Sequence, residues 1–324
     1  MSTRMPAILA AVAATFYVPS ALGQTTKFPE RQIRFIIPFA PGGGVDATAR
    51  IIAQQIQEKQ GAQVIVENRA GSNGTIGGIH VQQAAPDGYT LLYSAATHAM
   101  ARYVMSKAPY DPVTDFSAIA RIGEAPLLVV VSPRLSISSL KELADEARKN
   151  PDKWTAATPN LGSPGHLATL LFGNLAGIKL TILPFRGTAP ALNDVAGGHV
   201  PMLIDAAIAL LPMAQGGAVK PLAITTAKRS AFAPEIRTSA ESGMPGLEYA
   251  TWYGFWGPKG VPGDVVARLN AMINRAVGEI GKEGRFAKLG VETVTETPDQ
   301  FAAFMKKDIA RNAELLKAAS FKPE

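Results

Sequence analysis

The stretch Arg34–Lys59, RFIIPFAPGGGVDATARIIAQQIQEK, constrains the fold more than any other part of the chain. An apolar run of strand length meets three glycines, and Ala49, Ile52, Ala53 and Ile56 then recur at helical spacing. This change of period predicts a buried strand over Ile33–Phe39, a tight turn and an amphipathic helix over Asp46–Lys59. A second strand, Gln63–Glu67, follows at once, so the unit reads β-α-β, with parallel strands and a right-handed connection. The pattern recurs along the chain. Asn68–Gly78 is a glycine loop leading into a helix near Ile79–Ala84, and YTLLYSA is a third strand.

The middle of the chain repeats the alternation. SLKELADEARKN is a helix opened by Ser138 or Ser139, with Arg148 and Lys149 placed late, as the helix dipole prefers. KWTAATP is a strand, NLGSPGH a polar glycine loop, and LATLLFGNLAG a helix ending at Gly177. KLTILPF, HVPMLID and VKPLAITT read as strands, RGTAP as a loop, and ALNDVAGG as a short helix. Two segments look like crossings between units. IARIGEAPLLVVVSP has two apolar stretches around Gly123–Pro126, and YATWYGFWGPKG is aromatic and extended. The reading is therefore α/β, with two lobes joined by two crossover strands. Residues 24–124 plus 251–324 form the first lobe and 125–250 the second. Sheets of this kind bind ligands beyond the carboxyl ends of their strands, which places a cleft between the lobes.

A chain of 324 residues with 47% hydrophobic and 18% charged residues has ample material for two packed cores. The net charge of +6 comes from scattered lysines and arginines rather than a patch, which argues against nucleic-acid binding. Such a mild positive field suits anionic solutes. Without cysteine there is no disulfide, thiolate nucleophile or iron–sulfur cluster. The N-terminus, MSTRMPAILAAVAATFYVPSALGQ, has a positive start at Arg4 and an apolar stretch from Met5 to Val18, followed by Pro19 and small residues. This is the pattern of a signal peptide over residues 1–23, cleaved after Ala21-Leu22-Gly23, and the apolar stretch is shorter than the roughly 20 residues a membrane span needs.

Three anions compete for the first glycine turn: a nucleotide cofactor, a substrate under attack, and a solute that is only carried. Gly42-x-Gly44-x-x-Ala47 satisfies the dinucleotide pattern, and Glu67 ends the next strand where a ribose-binding acid belongs. Asp46 inside the turn opposes it, because a carboxylate about 4 Å from a pyrophosphate charge costs roughly 1–4 kcal/mol. No lysine and serine or threonine follow the glycines as a Walker motif requires. The four histidines, His80, His98, His166 and His199, show no metal-binding spacing. LGSPGH at Leu161–His166 has some likeness to a nucleophile elbow, but Leu161 stands where its first glycine belongs. Ser163 then reads as a nucleophile, a ligand-binding hydroxyl or a helix cap. A solute site needs only the uncovered N–H groups of Gly42, Gly43 and Gly44 at a helix start. Asp46 reads either as a cap or as part of that site.

FPERQIRFIIPFAPGGGVDATARIIAQQIQEKQGAQVIVENRAGSNGTIGG, then AAPDGYTLLYS, then GSPGHLATLLFGNLAGIKLTILPFRGTAPALNDVAGGHV and Ile204-Asp205 together resemble the Bug family. These are the periplasmic, TctC-like solute-binding receptors of tripartite tricarboxylate transporters. The resemblance runs over nearly the whole chain after the signal segment. It implies a two-lobed type II periplasmic binding protein fold that closes on a carboxylate, with no cofactor and no metal. It further implies ligand contacts from Phe39, Pro41, Gly42, Gly43, Gly44 and Asp46, from Ser94, Thr97 and His98, and from Gly162, Ser163, His166, Arg186, Gly187, Thr188 and Asp205. Ordered waters would bridge the ligand to the first lobe. Where the family often has tyrosine-lysine-glycine, this chain has Phe185-Arg186-Gly187, and a guanidinium can grip a carboxylate through two parallel bonds. The expected protein is a monomer that carries a di- or tricarboxylate, aromatic acids included, to membrane transport components. A sensory receptor sharing the fold and a secreted serine hydrolase are the alternatives. Trp252, Tyr253 and Phe255 either line the cleft or pack the hinge.

Overall fold

The computed structural model describes residues 28–150 and 153–324, so the segment read as a signal peptide lies outside the described residues. In the first lobe, β1 (Ile33–Ile37) runs parallel to both β2 (Val64–Asn68) and β3 (Thr90–Ala95). Between β1 and β2 lies α1 (Gly44–Gln60), which buries Ala49, Ile52, Ala53 and Ile56, the face its sequence spacing predicts. Gly61 ends it in the left-handed conformation, donating its N–H to the Gln57 carbonyl.

β4 (Phe116–Val131) is a single strand of 16 residues and accounts for both apolar segments of the first crossing. From Phe116 to Pro126 it lies antiparallel to β9 (Ala250–Pro258), the second crossing, which in turn pairs with β3. From Leu127 onward it exchanges that partner for β7 (Met202–Ala206) and β8 (Lys220–Ile224), both antiparallel. β5 (Thr155–Thr158) joins β7 and β6 (Thr181–Pro184) in parallel. The strand order is β2-β1-β3-β9-β4-β7-β5-β6, so one curled sheet runs through both lobes on the backbone of β4. A short β10 (Glu292–Thr293) pairs with β4 at Glu124 and Gly123, where the partners change.

The helices cover this sheet. α2 (Thr75–Gln82) belongs to the first lobe, and α3 (Ala96–Ala99) and α4 (Ala101–Val104) follow β3. In the second lobe are α5 (Leu140–Lys149), α6 (Pro164–Ala176), α7 (Thr188–Ala196) and α8 (Ala207–Gln215). α9 (Gly263–Lys282) and α10 (Pro298–Ala318) return over the crossing strands. Ser139 caps α5, accepting the Glu142 N–H at 3.1 Å, and Thr297 with Gln300 forms a reciprocal capping box on α10.

Four helices depart from the sequence expectation. α2 starts at Thr75 rather than Ile79, since Gly77 and Gly78 lie inside it, pressed against Pro38 and Tyr110. α3 and α4 are too short to show a period. α8, AIALLPMAQ, is nearly all apolar and contains Pro212, so it shows neither alternation nor a polar face.

Rings hold the crossing together. Phe255 lies 4.6 Å from Phe35 and 4.3 Å from Tyr93, while Trp252 and Trp256 both pack on Phe301 of α10. Each fully buried ring of this kind contributes about 1.5–3 kcal/mol relative to exposure. Trp252 also donates to Asp308 Oδ2 at 2.9 Å. Trp252 and Phe255 therefore pack the hinge rather than lining the cleft.

Candidate functional site

A cavity opens between the lobes where the strands of both end. It measures about 450 Å³ counting the solvent at its mouth. The first lobe contributes Phe39 through Asp46, except Pro41 and Gly42, with Ala95, Thr97, Thr251 and Tyr253. The second contributes Pro159, Asn160, Ser163, Pro164, Gly187, Thr188, Asp205 and Ala206.

The wall is built from helix starts. α1, α6, α7 and α8 all begin on residues lining the cavity or immediately beside them. The first N–H groups of a helix have no partner within it, and the aligned peptide dipoles leave that end positive. Backbones of both lobes thus offer hydrogen-bond donors and a positive potential to one space. The approach is tight on purpose of geometry: a methyl group on Gly44 would lie 2.8 Å from both Ile208 Cγ2 and Tyr253 Oη, so only glycine fits there. The Ala40 N–H donates to the Arg186 carbonyl at 3.1 Å, and Asn73 Nδ2 donates to the Leu161 carbonyl at 2.9 Å. These bonds join the two lobes on either side of the cavity.

Asp46 is not the cap that its position in the sequence suggests. Gly43 stands at the N-cap of α1, and the Asp46 carboxylate turns back to accept the Gly42 N–H at 3.1 Å. Arg50 donates to it from Nε and Nη2, and Asn68 Nδ2 at 3.0 Å. Burial alone would raise its carboxyl, but these partners outweigh burial and hold it below the usual carboxylate range. One of the three glycine donors expected for the ligand, Gly42 N–H, is therefore engaged within the chain. Glu67, the other acid of the dinucleotide pattern, accepts from Arg69 Nε at 2.7 Å.

In the second lobe Ser163 caps α6: its hydroxyl accepts the His166 N–H at 3.1 Å and shares a hydrogen bond of 3.0 Å with Thr158. The His166 ring does not activate it. Its Nδ1 accepts the Gly162 N–H at 3.0 Å, and its ring lies 5.0 Å from Phe321 near the C-terminus. A serine nucleophile needs its hydroxyl bonded to a base, and that pairing is not made. Burial pushes His166 down to about 4 and His98 to about 3, so both imidazoles are neutral at physiological pH.

Asp205 stands alone by comparison. It is 6% exposed and accepts the Thr188 hydroxyl at 2.6 Å. Burial pushes its carboxyl up to about 6, against the Thr188 bond and the Ala206 backbone. Two further polar atoms in the wall, Asn160 Oδ1 and Tyr253 Oη, are buried without a hydrogen-bond partner. Such groups are costly unless something bonds them.

Of the residues expected at the site, the structure gathers Phe39, Gly43, Gly44, Asp46, Thr97, Ser163, Gly187, Thr188 and Asp205 around the cavity. Pro41 and Gly42 lie exposed on the turn. Ser94 and His98 sit deeper in the first lobe, with His98 between Tyr110, Phe116 and Trp256. Gly162 packs on Met100 and Val104. Arg186 is exposed and enters the interlobe contact through its carbonyl. Tyr253, one of the three rings of the crossing that either line the cleft or pack the hinge, lines it, and Asn160 and Thr251 join the wall without a signal in the sequence. A lone asparagine in a glycine loop carries no distinguishing signal, and along β9 both strand faces are buried, so periodicity does not reveal which ring meets the cavity. Among the described residues no cluster of three or more His, Cys, Asp and Glu is placed to hold a metal ion.

Comparisons with known proteins agree with this fold. Residues 48–321 match the tripartite tricarboxylate transporter family receptor. The structure of the periplasmic binding protein BugD superimposes with a TM-score of 0.86 at 33% identity, covering 92% of this chain and 100% of that one. Rpa4515 of R. palustris, solved with adipate, gives 0.87 at 33% identity with the same coverage. MatC of Rhodopseudomonas palustris, with bound malate, gives 0.83 at 31%, covering 89% of this chain and 100% of that one. The fold is thus the two-lobed α/β fold of these periplasmic binding proteins.

Proposed function

Because the chain belongs to the tripartite tricarboxylate transporter receptor family, we propose that it captures a small carboxylate between its lobes in the periplasm and hands it to the membrane components of such a transporter. The convergence of four helix starts on one interlobe cavity carries this reading. Similar proteins solved with adipate and malate support the carboxylate class, with di- and tricarboxylates foremost and aromatic acids admitted. The lobes are residues 24–124 with 251–324, and 125–250, following export by the N-terminal segment. The protein acts as a monomer.

In this reading a ligand carboxylate takes N–H groups at Gly43 and Gly44, directly or through ordered waters. Ser163, Thr188 and Asn160 meet it from the other side. A ligand touching both lobes binds the closed state more tightly than the open one, and that difference in affinity is what drives closure. The test is a thermal-shift screen of the mature protein against a panel of carboxylic acids. A ligand present at about 100 times its dissociation constant stabilises by about 2.7 kcal/mol. If no acid raises the melting temperature, the reading is wrong.

A further inference from the structure

Charge in the cavity wall is unusual for a site that takes an anion. No lysine, arginine or histidine lines it among the described residues, while two aspartates do. Asp46 is matched by Arg50, Asn68 and the Gly42 N–H. Asp205 has no cation: it accepts the Thr188 hydroxyl from α7 and the Ala206 N–H at the start of α8, and the Tyr253 phenol from β9 lies beside it. A carboxylate has about four acceptor sites, so Asp205 retains capacity that these neighbours do not fill. Asn160 Oδ1, buried and unpartnered in the same wall, adds a second acceptor, and Tyr253 Oη a donor.

From this geometry we infer that Asp205 is a specificity residue that selects acids bearing a hydrogen-bond donor, a hydroxyl or an ammonium group, beside the carboxylate. The inference rests on the carboxylate reading given above and narrows it. The helix starts hold the ligand's carboxylate, and the donor on the ligand reaches Asp205. A plain second carboxylate placed there would meet like charge and no donor. Sites built to hydrogen-bond a hydroxyl or amino group discriminate strongly against analogues that lack it, because the buried acceptor is then left unpaired. Burial, by pushing the Asp205 carboxyl up to about 6, still leaves it ionised at mildly alkaline pH, where it can only accept.

Calorimetric titration of the mature protein in mildly alkaline buffer tests this with three matched series: propionate, lactate and alanine; succinate, malate and aspartate; glutarate, 2-hydroxyglutarate and glutamate. In at least one series the hydroxy or amino acid should bind about tenfold or more tightly than its plain counterpart. Asp205→Asn should reduce that ratio to about twofold or less, since the amide carbonyl accepts a hydroxyl or ammonium donor without the charge that strengthens the bond, and the amide no longer repels a carboxylate. Asp205→Ser serves if the first variant fails to fold. Equal affinity within every series, or an unchanged ratio in the variant, overturns the assignment of Asp205 and leaves the carboxylate reading intact. If no acid of any series binds, the carboxylate reading falls and this inference falls with it.

Discussion

Asp46 and Asp205 face one cavity from opposite lobes, and their surroundings act on them in opposite directions. Asp46 sits among donors from three parts of the first lobe, the Gly42 backbone, Arg50 of α1 and Asn68 of β2, and its carboxyl lies below the ordinary range. Asp205 has Thr188 and burial, and its carboxyl lies above that range. The same side chain is a cation-paired structural brace on one wall and a carboxylate without a cation on the other. Residue type thus says little about role in a cleft. The count of donors left over for a ligand says more.

Four experiments break or sharpen this contrast. The largest effect belongs to the point where the walls meet. Gly44→Ala would place a methyl 2.8 Å from Ile208 Cγ2 and Tyr253 Oη, so the lobes must part or the strand must shift. Overpacking of this kind costs about 1–3 kcal/mol, which corresponds to a loss of roughly tenfold to a hundredfold in ligand affinity by calorimetry. A wild-type affinity in this variant would show that the closed contact at Gly44 is not needed for binding.

Next is the braced aspartate. Asp46→Ala removes the acceptor of the Gly42 N–H, one of the two acceptors of Asn68 Nδ2 and the partner of Arg50, and should lower stability by about 2 kcal/mol in urea unfolding at neutral pH. The sign with pH is set by the lowered carboxyl. Its stabilisation is fully present above the ordinary value of 3.8 and is lost as pH falls through the lower folded value. The wild type and the variant should therefore converge in strong acid, and a gap that persists there would remove the ionic part of the argument.

Asp205→Asn should do the reverse in the ligand-free protein. A carboxyl raised from 3.8 to about 6 on folding binds its proton more tightly in the native state, so stability declines as pH rises between those values. Above that window the variant should be the more stable by about 1–3 kcal/mol, and below about pH 4 the advantage should vanish. Melting curves across this range check both the sign and the window. A variant destabilised at every pH would mean that the Asp205 charge has a partner inside the fold.

The smallest effect is expected at Arg186→Ala. The side chain is exposed, and the carbonyl rather than the guanidinium receives the Ala40 N–H, which alanine preserves. Affinity should change by less than about twofold, since exposed charges contribute little. A larger loss would bring the guanidinium to the ligand, as its likeness to a bidentate clamp suggests.

Much of the fold was legible because local rules and global packing agree. The period change at Gly42–Gly44, the helix face of α1, the Ser139 cap and the long apolar crossing that became β4 are all set by nearest neighbours along the chain. The site was legible wherever a glycine loop preceded a helix, as at Gly43, Ser163 and Thr188. It was illegible where the cue was only spatial. Asn160 and Thr251 reach the cavity because strands and loops distant in sequence end beside it, and no spacing records that. Ser94, His98 and His166 are placed near the ligand by the family resemblance; here Ser94 and His98 are buried in the first lobe and His166 Nδ1 accepts the Gly162 N–H.

The sequence by itself determined the strand–turn–helix alternation, the glycine turns that free N–H groups, and the two crossings, because each depends on backbone preferences and apolar spacing over a few residues. Tertiary structure alone decided which of those N–H groups face one cavity and that Asp205 is buried there without a cation, whereas the Asp46–Arg50 pair is set one helical turn apart along α1. Those outcomes depend on distances of a few ångströms between residues more than a hundred positions apart, such as Gly44 against Ile208 and Tyr253, and packing at that range follows position in space.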